Sequence, residues 1–263
     1  MHFTHIKIKG TKEYDLDFSM TEFMQEVNVP EESKKIATDY IKSKKLDDES
    51  GFDSMMLFDR KVIFSFDYLH NNQKLEIPEL NPVLIFYTNA LRSLRNTINS
   101  RDELLKNSPK VGEGSTSINI SDFGNFFAYA SNCIINLQAA LESFANSQIP
   151  YERFLNEDDE FIERSISHKL FTMIPAEKGF RVKKPHPNVI EDLIQLRNKI
   201  IHLKPQQETN TGYKNVYRKL LKFDYERAVR STRLFINHYQ TKLIEDCECG
   251  KEFFYVLNSI ESK

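Results

Sequence analysis

The chain has 263 residues, 36 Lys and Arg against 38 Asp and Glu, a formal net charge of -2, and no tryptophan. Such a length buries a core without covalent staples, and the three widely split cysteines, Cys133, Cys247 and Cys249, suit reduced thiols rather than a secreted disulfide framework. The charge balance excludes a globally basic nucleic-acid coat. The opening HFTHIKIKG lacks the apolar run of a secretory signal, and no stretch approaches about eighteen uninterrupted apolar residues, so a cytoplasmic protein is expected.

In chain order, 2–9 and 14–19 both alternate and read as strands, with Gly10 to Lys12 as the turn of a hairpin. Residues 30–45 begin with Pro30 and two glutamates and end in lysines, the charge order that suits a helix macrodipole. Residues 55–70 alternate again, and His70 reads as a turn histidine. Residues 1–80 are thus expected to form a small N-terminal α+β elaboration.

From residue 81 the character changes to helix, with Asn81 as N-cap and Pro82 at the first helical position of 81–107. Pro109, Gly112 and Gly114 break the pattern, and 108–121 reads as a surface loop in which GEGSTS is too short and wrongly spaced to cradle phosphate. The strongest amphipathic stretch is 122–148, where Phe123, Phe126, Phe127, Ala130, Ile134, Leu137, Leu141, Phe144 and Ala145 recur at three and four. Further helices are predicted over 157–173, opening on the acidic run EDDE, over 187–203, and over 224–246. The expected fold is mainly α, a helical bundle over 81–263.

Two other groups of reactive residues carry little. Cys247 and Cys249 form a lone C-x-C, which without a second pair reads as a reduced turn, and His168 follows Ser165 and Ser167 with no acid to complete a triad.

The stretch LRNKIIHLKP, 196–205, is more informative. On a helical wheel Leu193, Ile194, Leu196, Ile200, Ile201 and Leu203 span one apolar arc with Arg197 inside it, while Asn198 and His202 share a neighbouring flank. An arginine so placed must pair with a carboxylate, snorkel to the edge, or face an anion. Glu142, beside the apolar stripe of 122–148, is a candidate partner. From Lys178 to Lys222 the chain carries eleven Lys and Arg against three Asp and Glu, a net of +8 that includes Lys214, Arg218, Lys219 and Lys222, with Tyr213 and Tyr217 interleaved. Such a segment attracts a polyanion, and its tyrosines suit base stacking.

Arg197, Asn198, three residues and His202 at the end of a bundle helix resemble the motif of the HEPN superfamily, an arginine followed by a polar residue and, four to six positions after the arginine, a histidine. Two other pairs have the same spacing. RVKKPH (Arg181 to His186) is interrupted by Pro185, and RLFINH (Arg233 to His238) has leucine after its arginine. The resemblance covers about 120–247 and implies a HEPN-like bundle. It further implies metal-independent RNA cleavage, without cofactor, by a homodimer whose two motifs face one another. His202 would serve as general acid or base, Arg197 would stabilise phosphate charge, and Asn198 would orient the phosphate or the histidine. Lys183, Lys184, Lys199 and Lys204 would bind the RNA substrate. Residue types agree with these roles, since histidine titrates near neutrality and the arginine fork matches phosphate oxygens. Toxin–antitoxin systems, phage defence and stress response are the usual settings, with an antitoxin or regulatory partner. The tyrosine that one toxin branch carries two positions after the histidine is Lys204 here. The same resemblance also admits a non-catalytic module that binds RNA, a nucleotide or a protein. The bland alternative is an interaction protein in which Arg197 pairs with a core carboxylate.

Overall fold

The computed structural model describes residues 10–13, 31, 35, 51–58, 61–70, 73–78, 80–114, 119–179, 186–202 and 212–245. They fall into two units divided between Asn81 and Pro82.

In the first unit, β1 (Gly10–Glu13), β2 (Gly51–Phe58), β3 (Lys61–His70) and β4 (Gln73–Pro78) form one antiparallel sheet. β3 is its centre. β2 runs along the length of β3 from Phe58↔Lys61 to Gly51↔Tyr68, and β4 pairs with it from His70↔Gln73 to Ser65↔Pro78. A strand has only two edges, so β4 lies opposite β2, and β1, paired at Gly10↔Ile63 and Glu13↔Lys61, shares that edge with β4. Gly10 to Lys12, expected as a hairpin turn, is therefore strand: its backbone groups are taken by β3. The predicted strands 2–9 and 14–19 lie outside the described residues. Of the predicted helix 30–45, only Glu31 and Lys35 are described, and both are helical.

The second unit is mainly α. α1 (Pro82–Lys106) and α2 (Ile120–Gln148) pack along one another. The start of α2 is set by Asn119, whose side chain accepts from Asp122 N at 3.1 Å. Its apolar stripe is the spine of the core: Phe126, Ala130, Ile134, Leu137, Leu141, Phe144 and Ala145 are fully buried, as predicted from their spacing. Cys133 sits in the same stripe, where burial pushes its thiol up to about 12 and leaves it a poor nucleophile.

The acidic run EDDE does not open a helix. Asn156 Oδ1 accepts from Asp158 N (2.9 Å) and Glu160 N (2.8 Å), which bends 157–160 into a turn before Leu155 and Phe161 pair as an isolated bridge. Helix begins only at α3 (Ile166–His168), capped by Ser165, whose Oγ accepts from His168 N at 3.3 Å. It continues through a π turn (Lys169–Met173) into α4 (Ile174–Lys178), ending at the left-handed Gly179, φ 71°. The widened turn ends at Met173, two residues before Pro175, whose ring nitrogen cannot donate to the helix ladder.

α5 (His186–Ile201) packs on α2 and α7, and the predicted helix at 187–203 is found nearly in place, with His202 in the turn that follows and Leu203 outside the described residues. α6 (Lys214–Lys222) was not anticipated, because its region was read by charge; its apolar residues Val216, Tyr217, Leu220 and Leu221 nonetheless recur at helical spacing. α7 (Tyr225–Tyr239) opens at Asp224, which accepts from Arg227 N at 2.9 Å. It stops well before the expected residue 246. Asn237 accepts from Ile244 N (2.9 Å) and donates to Ile244 O (2.8 Å), folding the chain back so that Leu243 and Ile244 are buried. Tyr87 in α1 donates to Val229 O in α7 at 3.3 Å, tying these two helices together. Among the described residues no helix is long and apolar enough to cross a membrane.

Candidate functional site

The last turn of α5 carries the motif. Ile190, Leu193, Ile194, Leu196 and Ile200 are buried, as the wheel predicts, but the helix emerges from the core at its end, and Ile201 is 45% exposed. Arg197 is consequently half-buried at the rim, and Asn198 and His202 are exposed. Arg197 Nη1 donates to Asn198 Oδ1 at 3.2 Å. His202 N donates to Asn198 O at 3.0 Å, continuing the helical ladder past Ile201. Among the described residues no hydrogen bond joins the His202 ring to Arg197 or Asn198, and no carboxylate pairs with the Arg197 guanidinium.

Glu142, the candidate partner of Arg197, instead faces a cation that the sequence reading passed over. Lys169 is 3% exposed, with Nζ 4.0 Å from Glu142 Oε1, 3.9 Å from Glu163 Oε1 and 3.1 Å from Asn146 Oδ1, over the ring of Phe154. A helical wheel puts Lys169 at the edge of the arc formed by Ile166, Leu170, Met173 and Ile174 rather than within it, so the period of the chain does not single it out as it does Arg197.

The decoy pair on α7 is likewise accounted for. Arg233 Nε donates to Ile244 O at 3.3 Å and helps hold the turn after the helix, while the His238 ring stands edge-on to Tyr239. RVKKPH lies outside the described residues except for His186, the first residue of α5.

Lys199, also in the motif, points the other way. Asp192, Gln195, Leu196 and Lys199 on α5 face Asn215, Arg218, Lys219 and Lys222 on α6, with Phe223 just beyond, across a cleft of about 430 Å³. Positions 215, 218, 219 and 222 share one helical face, and Leu220 and the half-buried Val216 and Tyr217 anchor the opposite face. Tyr217 packs edge-on against Phe123 and Phe127 of α2, which fixes the roll of α6 and so aims its cations at α5. The Lys219 ammonium beside Lys199 holds Lys199 below the usual lysine range, first through side-chain contact, then through charge repulsion and slight burial. Lys183, Lys184 and Lys204, the other predicted substrate-binding lysines, lie outside the described residues.

No protein-family model, no curated protein and no solved structure matches the chain.

Proposed function

We propose that the helical unit is a HEPN-type, metal-independent endoribonuclease that acts as a homodimer with a composite Arg/His site. The observation that carries this reading is the contrast between Arg197 and the other cations set into helix faces of the bundle. Lys169 and Arg233 are occupied by groups of their own fold, whereas among the described residues the Arg197 guanidinium is held by Asn198 alone, at a rim where the histidine of the motif is also exposed. A guanidinium so placed can take an anion from outside the fold.

In this reading RNA supplies the nucleophile. The ribose 2'-hydroxyl gives its proton to a base and forms a bond to phosphorus, the bond from phosphorus to the 5'-oxygen breaks, and that oxygen takes a proton. His202 serves one or both proton transfers, and Arg197 balances the charge that grows on the phosphate oxygens. Among the described residues no hydrogen bond joins the His202 ring to Arg197, and in this reading a second copy across a two-fold axis brings an arginine and a histidine onto one phosphate. Purified protein in EDTA should cleave single-stranded or structured RNA to fragments ending in 2',3'-cyclic phosphate, and His202→Ala should abolish the cleavage. Equal cleavage by both proteins rules this mechanism out.

A second reading, a non-catalytic module that binds RNA, is favoured by the cationic cleft, whose lining does not include His202. RNA binding lost on substituting cleft lysines, with no cleavage under any condition, would select it.

A further inference from the structure

The cleft between α5 and α6 has a composition that a nucleic-acid backbone does not require. Four of its described lining residues, Lys199, Arg218, Lys219 and Lys222, are cations, and Asp192 is the one carboxylate among them. None of the four has a carboxylate partner among the described residues. Two ammonium groups cannot hydrogen-bond to one another while both are protonated, so the approach of Lys199 and Lys219 is unfavourable unless an anionic oxygen lies between them. An arginine fork in the same space adds bidentate recognition of phosphate oxygens.

The remaining lining is that of a small-molecule pocket. Leu196 is buried beneath the cleft, Phe223 is half-buried at its side, and Gln195, Asn215 and Asp192 offer amide and carboxylate groups. A volume of about 430 Å³ lies in the range of small-ligand sites. A phosphodiester backbone carries one charge per nucleotide and is best met by cations strung along a groove. Here the cations converge on one volume, which suits phosphates joined to each other. The apolar wall and the amides suit a planar, polar-edged ring at their end.

We infer that this cleft binds a nucleoside carrying two or three contiguous phosphates, either as a free nucleotide or as the 5' end of an RNA chain. The site is distinct from the Arg197/His202 site and does not depend on RNA cleavage. Contiguous phosphates bridge Lys199 and Lys219, Arg218 and Lys222 take the outer oxygens, and the base lies against Phe223 with Gln195 and Asn215 at its edge.

The test is calorimetric titration of the full chain with magnesium-free ATP, AMP and inorganic tripolyphosphate. ATP should bind with a saturable one-site isotherm, AMP about tenfold or more weakly, and Lys219→Glu should weaken ATP about tenfold or more. Lys219→Met, which removes charge without reversing it, should give an intermediate loss, and circular dichroism should show both variants folded, since the side chain is exposed. Competition with two RNAs that differ only in a 5'-triphosphate or 5'-hydroxyl identifies the source: displacement of ATP by the triphosphate RNA alone assigns the RNA end, and displacement by neither assigns the free nucleotide. Absence of saturable ATP binding, or binding unchanged in folded Lys219→Glu, overturns the proposal, and tripolyphosphate binding as tightly as ATP overturns its nucleoside part. His202→Ala should bind ATP like the wild type, so a failure of the ribonuclease reading is separable from a failure here.

Discussion

Two groups of cations in the helical unit invite comparison. Lys169 and Arg233 are received by their own fold: two carboxylates, an amide and an aromatic ring take the buried first, and the carbonyl of Ile244 takes the half-buried second. Arg197, Lys199, Arg218, Lys219 and Lys222 stand at the end of α5 and along the cleft between α5 and α6, where among the described residues Asn198 bonds Arg197 and no carboxylate forms an ion pair with any of the five. The chemistry of the side chains is the same. The difference is whether the fold itself supplies the counter-group, and that separates a cation used for stability from one available to a ligand.

Substitutions can break or sharpen this contrast. Lys169→Ala has the largest expected effect on folding: it empties a buried site and leaves Asn146 without its donor, for a loss of about 2–3 kcal/mol in urea unfolding, moderated because Glu142 and Glu163 retain access to water. Arg233→Ala should cost less, about 1 kcal/mol or below, because Asn237 still donates to Ile244 O, and RNA cleavage should be unchanged. Arg197→Ala should leave the free energy of urea unfolding within about 0.5 kcal/mol of wild type while removing RNA cleavage. A large stability loss in Arg197→Ala would move that residue into the structural group.

The smallest expected effect is a pH dependence. Lys199 in the folded chain lies below its ordinary value of 10.5, so as pH rises toward 10.5 the unfolded chain holds this proton more firmly than the folded one. Stability therefore gains from this group with rising pH, the repulsion being fully present below the folded value and gone above 10.5. Denaturant titrations of wild type and Lys219→Met over the alkaline range should show the gain only in the wild type. A phosphate ligand should reverse its sign by favouring protonated Lys199.

The same contrast explains how much of the molecule was legible in advance. Period alone located the buried stripe of α2 from Phe126 to Ala145 and the start of α7 near residue 224, and the Asn81–Pro82 signal placed the start of α1. Ends and turns were less legible where a side chain competed for the backbone. Asn156 drew the amides of 158 and 160 into a turn that acidic composition made look helical, and Asn237 closed α7 early by binding Ile244 on both sides. α6 was missed although its apolar spacing was present, because a dense row of lysines hides a short amphipathic helix from a count of charge.

By itself the sequence determined that the second unit would be helical, which faces of α2 and α5 would be apolar, and that Arg197 would fall within the apolar face of α5, since these follow from the period of the chain. Only the tertiary structure decided what became of them. Packing buried Lys169 and Leu170 at the start of the π turn and gave Lys169 its carboxylates, whereas α5 ran past the edge of the core and left Arg197 at the rim; the roll of α6, fixed by Tyr217 against Phe123 and Phe127, turned three more cations toward Lys199. Helical periodicity sets a direction around an axis, but the depth of that axis in the core and the neighbours it meets depend on contacts between residues far apart in the chain.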